Sequence, residues 1–132
     1  MLPTIVLVDY ESVGSPGLEN LPPQSRVIVF LGRHQKKPQA SVMEKLLADG
    51  RSAEFITIAG GTFNNLDHHL AFYLGHFMAR EPQADYLIVS NDKAGFEPLA
   101  AHIRDTLGIS CKRVVPKKVK AGKKIARKSL KQ

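Results

Sequence analysis

Residues 5–8, Ile-Val-Leu-Val, leave no polar position on either face of a strand. Successive side chains of an extended chain point to opposite faces, so such a run is stable only where both faces are covered. Ile5, Val6 and Val8 are β-branched, which suits a pleated backbone better than a helix. The run then passes directly into Asp9, Tyr10 and Glu11. Acids at the end of a doubly covered strand do little for stability, so these two call for a reason.

The rest of the chain repeats the strand signal between helix-like stretches. Residues 26–32 read as a second strand, 53–58 as a third, 86–90 as a fourth and 110–114 as a short fifth. Residues 12–25 hold Gly14, Pro16, Gly17, Pro22 and Pro23 and read mostly as loop. Helices are expected over 41–48, 64–79 and 96–107. In the second of these Leu66, Leu70, Tyr73, Leu74 and Phe77 keep the helical period, with Asn64 as its N-cap. Strands alternating with helices imply right-handed crossovers and a parallel sheet covered on both faces. The expected fold is α/β: a three-layer α/β/α sandwich with a central parallel sheet in the order 3-2-1-4-5.

Open parallel sheets bind ligands at the carboxyl ends of their strands. Asp9 and Glu11 follow strand one, Ser90-Asn91-Asp92 follow strand four, and Asp67 lies in the first turn of the helix after strand three. In the order 3-2-1-4-5, strands one and four are neighbours, so Asp9 and Asp92 are expected side by side with Asp67 close to them. Clustered carboxylates repel one another and raise each other's pKa unless a cation neutralises them. An oxygen-only donor set suits Mg²⁺ or Mn²⁺, which can polarise a phosphoryl oxygen and activate water. Each acid also has a plain alternative. Asp67 complements a helix dipole, Asp92 caps a helix, and Glu11 is a solvated loop residue.

Charge is distributed unevenly. Residues 1–114 hold 11 bases against 12 acids, a net charge of −1. The segment 115–132 has no acid and carries Lys117, Lys118, Lys120, Lys123, Lys124, Arg127, Lys128 and Lys131. The expected organisation is a domain over 1–114 followed by a basic, unfolded tail whose partner is a polyanion, nucleic acid first. Cys111 is the only cysteine, which excludes an internal disulfide. The apolar runs are far shorter than the roughly 20 residues of a membrane helix, and Met1-Leu2-Pro3-Thr4 has no basic residue before its apolar run. A cytoplasmic location is therefore expected, with no membrane partner.

The succession VDYESV, NNLDHHLAFYLG and IVSNDKAGFEPLAAHI, spanning about residues 4–114, resembles the PIN-like ribonucleases, and among them the bacterial branch related to NYN domains. The resemblance implies an endoribonuclease dependent on Mg²⁺ or Mn²⁺. It assigns metal binding to Asp9, Asp67 and Asp92 and a supporting catalytic role to Ser90. Such proteins often carry one more acid where this chain has Ala94. Glu11 and Glu97 are the candidates to replace it. The departure leaves two readings open, an active nuclease and a catalytically weak module that binds RNA.

Further residues are candidates for holding the nucleic acid, which is expected to be single-stranded RNA. Arg33, Gln35 and Lys36 follow strand two, Asn65 opens the long helix, and Lys93 adjoins Asp92. His68 adjoins Asp67; His69 and His76 lack the spacing of a helical metal pair and read as packed or surface residues. Cys111 reads as a core residue. A homodimer is a further expectation. Phosphotransfer domains that also place Asp at strand ends fit poorly, because Glu11 stands where one class needs a second Asp, and Ile58-Ala59 where the other needs a phosphorylated one.

Overall fold

The structure, a computed structural model, describes residues 2–61 and 65–116. Five strands form one sheet: β1 Thr4–Asp9, β2 Arg26–Leu31, β3 Ser52–Thr57, β4 Asp85–Val89 and β5 Cys111–Val114. All are parallel, in the order β3-β2-β1-β4-β5. This is the order expected from the sequence. β1 is central, and Ile5, Val6, Leu7 and Val8 are essentially inaccessible to solvent.

The alternation of β1 and β2 divides the core into two layers. Ile5, Leu7, Ile28 and Phe30 face α3 (Asn65–Arg80) and α4 (Lys93–His102), meeting Leu70, Leu74, Phe96 and Ala100. Val6, Val8, Val27 and Val29 face the opposite way, towards α1 (Tyr10–Val13) and α2 (Ala40–Leu46), meeting Val13, Leu18 and Leu46. Helices therefore flank both faces of the sheet.

Residues 12–25 are more ordered than a loop. Asp9 caps the short α1, and a 3₁₀ turn follows over Ser15–Leu18 with Pro16 near its start. The prolines and glycines mask this, because proline is well placed at the start of a helical turn. α4 begins at Lys93, three residues before its expected start, because Asp92 caps it. Its continuation, Ile103–Leu107, widens to a π turn that ends on Gly108 at φ 68°. The expected N-cap Asn64 and the whole basic run from Lys117 onward lie outside the described residues.

Register places the site. β1 pairs with β4 through Val8 and Val89, so the next residues of the two strands, Asp9 and Ser90, emerge together at the carboxyl edge. β1 also pairs with β2 through Asp9 and Phe30, which brings Leu31 and Gly32 alongside the chain leaving β1.

Candidate functional site

A cleft of about 820 Å³ opens at this carboxyl edge. Asp9, Glu11, Asp67 and Asp92 all line it. The four come from three chain segments: the β1–α1 junction, the first turn of α3, and the N-cap of α4.

Asp9 is 3 % exposed, and both its carboxylate oxygens are engaged. Oδ1 accepts the Ser12 backbone N–H at 3.2 Å, the cap of α1. Oδ2 accepts the Ser90 hydroxyl at 2.8 Å. Ser90 is itself fully buried, and its Oγ accepts the Asp92 backbone N–H at 3.0 Å. One hydroxyl thus joins the acid that ends β1 to the turn that carries Asp92. Asp92 Oδ1 accepts the Gly95 N–H at 2.9 Å and caps α4. The capping role weighed for Asp92 is real, and Asp9 has one as well.

Ser12 and Asn91, which the sequence did not single out, lock the same junction. Ser12 Oγ donates to the Asp9 carbonyl at 3.2 Å and accepts the Asn91 N–H at 3.1 Å. The Asn91 side chain donates to the Ser12 carbonyl at 2.8 Å. The spacing of Asp9 and Ser12, three residues apart after a strand, is a helix-capping signal that was available in the sequence.

Asp67 and Asp92 share a hydrogen bond between their carboxyl groups. The Asp67 carboxyl is pushed up to about 7. Burial is the main cause, followed by the bond to Asp92 and the negative charges of Asp9, Asp92 and Glu11. Asp92 moves below the ordinary carboxylate range because it accepts that bond and the Gly95 N–H; the Arg113 charge lowers it further. The two carboxyls therefore share a proton, with Asp67 raised and Asp92 lowered. Among the described residues, no three His, Cys, Asp or Glu side chains converge tightly enough to hold an ion as they stand.

Glu11 reaches the cleft across Gly32. Its Oε2 lies in the space a Cβ at Gly32 would take, so the missing side chain of that residue admits the carboxylate. Glu97 goes elsewhere: its carboxylate lies 3.5 Å from Arg113 Nε, and it does not line the cleft. Arg113 is largely buried on β5 and donates from Nη1 to the Ser90 carbonyl at 2.7 Å. Among the described residues its Nε has no hydrogen-bond partner. Glu97 is thus the counter-charge of an arginine that supports the Ser90 turn, and is not placed as a ligand.

The candidate phosphate-holding residues divide similarly. Arg33 and Asn65 line the cleft, as does His34. Gln35 lines it too, but its amide is committed: Oε1 accepts the Gly32 N–H at 3.0 Å and Nε2 donates to the Tyr10 carbonyl at 2.9 Å. It fixes the β2 end to α1 instead of offering a free donor. Asn65 Nδ2 donates to the Ala59 carbonyl at 2.6 Å. Lys36 and Lys93 are exposed and outside the cleft lining, as is His68. His69 Nδ1 contacts the Asn65 carbonyl at 2.8 Å, and His76 is exposed, so neither is grouped with the acids. Cys111 is buried in the core, where burial pushes its thiol up to about 11.

No helix among the described residues is long and apolar enough to cross a membrane. Comparison with known proteins found no match among curated proteins and none among solved structures. A family model, that of the PIN domain, matches residues 3–114. PIN domains are in general nucleases that need a divalent metal and act on nucleic acid, usually RNA. A match of that extent, running from the residue before β1 to the last residue of β5, means that the chain belongs to the PIN-domain family.

Proposed function

We propose that the chain is an endoribonuclease dependent on Mg²⁺ or Mn²⁺, with Asp9, Asp67 and Asp92 as the metal-binding acids and Glu11 as the fourth. The observation that carries this reading is the gathering of Asp9, Glu11, Asp67 and Asp92 on one cleft at the carboxyl edge of the sheet. Burial first, and then the bond to Asp92 and the neighbouring negative charges, raise the Asp67 carboxyl, so the cleft favours added positive charge. The donors are all carboxylate oxygens with no thiolate, which fits a hard cation. When bound, such an ion supplies Lewis-acid stabilisation of the phosphate and a more acidic water.

The chain's own residues do the remaining work. Ser90 fixes the Asp9 carboxylate through Oδ2, and Ser12 fixes it through Oδ1. Asp67 gives up its proton to become an anionic donor and Asp92 is already anionic. Glu11 enters the cleft over Gly32. Arg33 at the cleft rim meets the phosphate backbone of the substrate, which it positions without reading sequence. The tail from Lys117 to Lys131, with Lys118, Lys120, Lys123, Lys124, Arg127 and Lys128, adds sequence-independent grip on single-stranded RNA. The motifs VDYESV and IVSNDKAGFEPLAAHI favour the NYN-related branch.

The test is cleavage of single-stranded RNA by the purified full chain with Mn²⁺. Asp9→Asn keeps a side-chain oxygen for the α1 cap but removes the charge, so it is expected to abolish cleavage and retain RNA binding. Equal cleavage by both proteins would sink the proposal. The second reading, a binding module without catalysis, is favoured by Ala94 and by the absence of a ready three-ligand group among the described residues. RNA binding with no metal-dependent cleavage by the wild type would establish it.

A further inference from the structure

α3 buries Leu66, Leu70, Leu74, Phe77 and Met78 against the sheet. Its opposite face carries His68, Phe72 and His76 at intervals of four, with Arg80 at the end of the helix, and all four are exposed. Phe72 is 69 % exposed, the highest value of any large apolar side chain among the described residues. The core does not need it; one exposed ring is ordinary by itself, and it is the run of aromatic, imidazole and guanidinium groups along this face that points to an occupant.

The ring has an aromatic neighbour. Phe72 meets Tyr73 edge-on with centroids 5.4 Å apart, and Tyr73 in turn packs against Phe30 at 5.6 Å and edge-on against His76 at 6.4 Å. A base stacking on Phe72 would thus extend an aromatic cluster that already joins Phe72, Tyr73 and His76. Successive members of the stripe are about 6 Å apart along the helix axis.

The charge of the stripe selects its occupant. Asp67 is the only acid in α3, and it belongs to the cleft. The next acid along the chain, Glu81, lies beyond the helix and faces Arg26 at 3.6 Å. The exposed face is thus aromatic, imidazole-bearing and closed by an arginine, with no carboxylate of its own. That chemistry suits a polyanion with flat bases better than an acidic or purely apolar surface. The face begins at His68, in the same first turn of α3 that delivers Asp67 to the cleft, although His68 itself is outside the lining.

We infer that the exposed face of α3, through His68, Phe72, His76 and Arg80, is a stacking track for single-stranded nucleic acid running out of the cleft. This rests on the nuclease reading of the cleft. Bases stack on aromatic and imidazole faces without regard to sequence, so the track contributes length-dependent affinity and not specificity. The stacking part resists salt, unlike the grip of the lysine-rich tail.

The experiment measures binding of labelled single-stranded RNA to the full chain by fluorescence anisotropy, in EDTA so that the probe stays intact. Two probe lengths are used, about 4 and about 16 nucleotides, the range spanned by single-strand sites. Phe72→Ala is expected to weaken binding of the long probe by about fivefold or more, also at raised salt, and to leave the short probe unchanged. Phe72→Trp is expected to bind the long probe as the wild type does. Unchanged binding of the long probe by Phe72→Ala, or an equal loss on both lengths, overturns the track. A wild-type dimer in sedimentation that Phe72→Ala converts to monomer also overturns it, assigning the face to a second copy of this chain. A wild type that binds neither probe overturns the nuclease reading and this inference with it, whereas failure of Phe72→Ala alone leaves the cleft reading intact.

Discussion

The Ser90 hydroxyl donates to Asp9 Oδ2 at 2.8 Å while accepting the backbone N–H of Asp92 at 3.0 Å. One atom therefore sets the distance between the two strand ends that carry the acids. Ser90→Ala removes a donor from a buried carboxylate and an acceptor from a backbone amide. The expected loss of stability is about 1–3 kcal/mol, read by urea unfolding. A supporting partner of this kind is also worth roughly 10–100-fold in metal affinity or activity, read by Mn²⁺ titration and RNA cleavage. A variant with wild-type values in both assays would remove Ser90 from the site.

On the proposed reading, the proton shared by Asp67 and Asp92 makes metal binding depend on pH. With Asp67 raised to about 7, binding of Mn²⁺ below neutrality must expel that proton. Calorimetry in buffers of differing ionisation enthalpy is expected to show release of about one proton near pH 6 and much less above pH 8. Asp67→Asn is expected to bind weakly and to release none. A pH-independent enthalpy in the wild type would contradict the assignment.

The same group acts on the metal-free fold. A carboxyl whose folded pKa is raised from 3.8 to about 7 contributes stability that is fully present below about pH 4 and lost as pH rises through 7. Asp92, lowered by accepting the same proton, contributes in the opposite sense, above its unfolded value. In EDTA, Asp67→Asn is therefore expected to reduce the fall in urea midpoint between pH 5 and 8 relative to wild type. A steeper fall in the variant would reverse the sign of the argument.

Glu11 and Glu97 are separated by a pair of substitutions. Glu97→Gln is expected to leave Mn²⁺ affinity within about twofold, since Glu97 faces Arg113, and Glu11→Gln to weaken it by about tenfold or more. Gly32→Ala is expected to act like Glu11→Gln on the metal while costing less than about 1 kcal/mol, because what it displaces is the flexible end of a side chain. Arg113→Met leaves the Ser90 carbonyl without its donor and is expected to cost about 1–3 kcal/mol. A metal affinity that tracks Glu97 instead of Glu11 would restore Glu97 as a ligand.

Deleting residues 116–132 is expected to weaken RNA binding and flatten its dependence on salt, with Mn²⁺ affinity unchanged. An unaltered salt slope would show that the eight bases of the tail do not meet phosphate.

The sheet was legible because its signal is local. A run such as Ile5–Val8 with no polar face requires a central parallel strand, and the strand order follows from short crossovers. The edge that gathers Asp9, Asp67 and Asp92 followed from that order. What escaped were contacts set by side-chain geometry across the sheet. Nothing in the spacing of Glu97 and Arg113 announces that they pair, since α4 and β5 must first fold together. Gln35 looked like a free donor because its two backbone partners, Gly32 and Tyr10, belong to different strand ends. Ser12 escaped because the prolines and glycines after it drew the whole stretch into one loop.

Asp9 and Asp92 each start a helix, whatever else they do. A relative that had given up cleavage would still need an oxygen-bearing side chain at both places to begin α1 and α4, so keeping them is no mark of an active enzyme. Among the described residues Asp67 and Glu11 cap nothing. They are where a silenced member of the family would first drift, and so where a survey of sequences should look to tell working nucleases from binding modules.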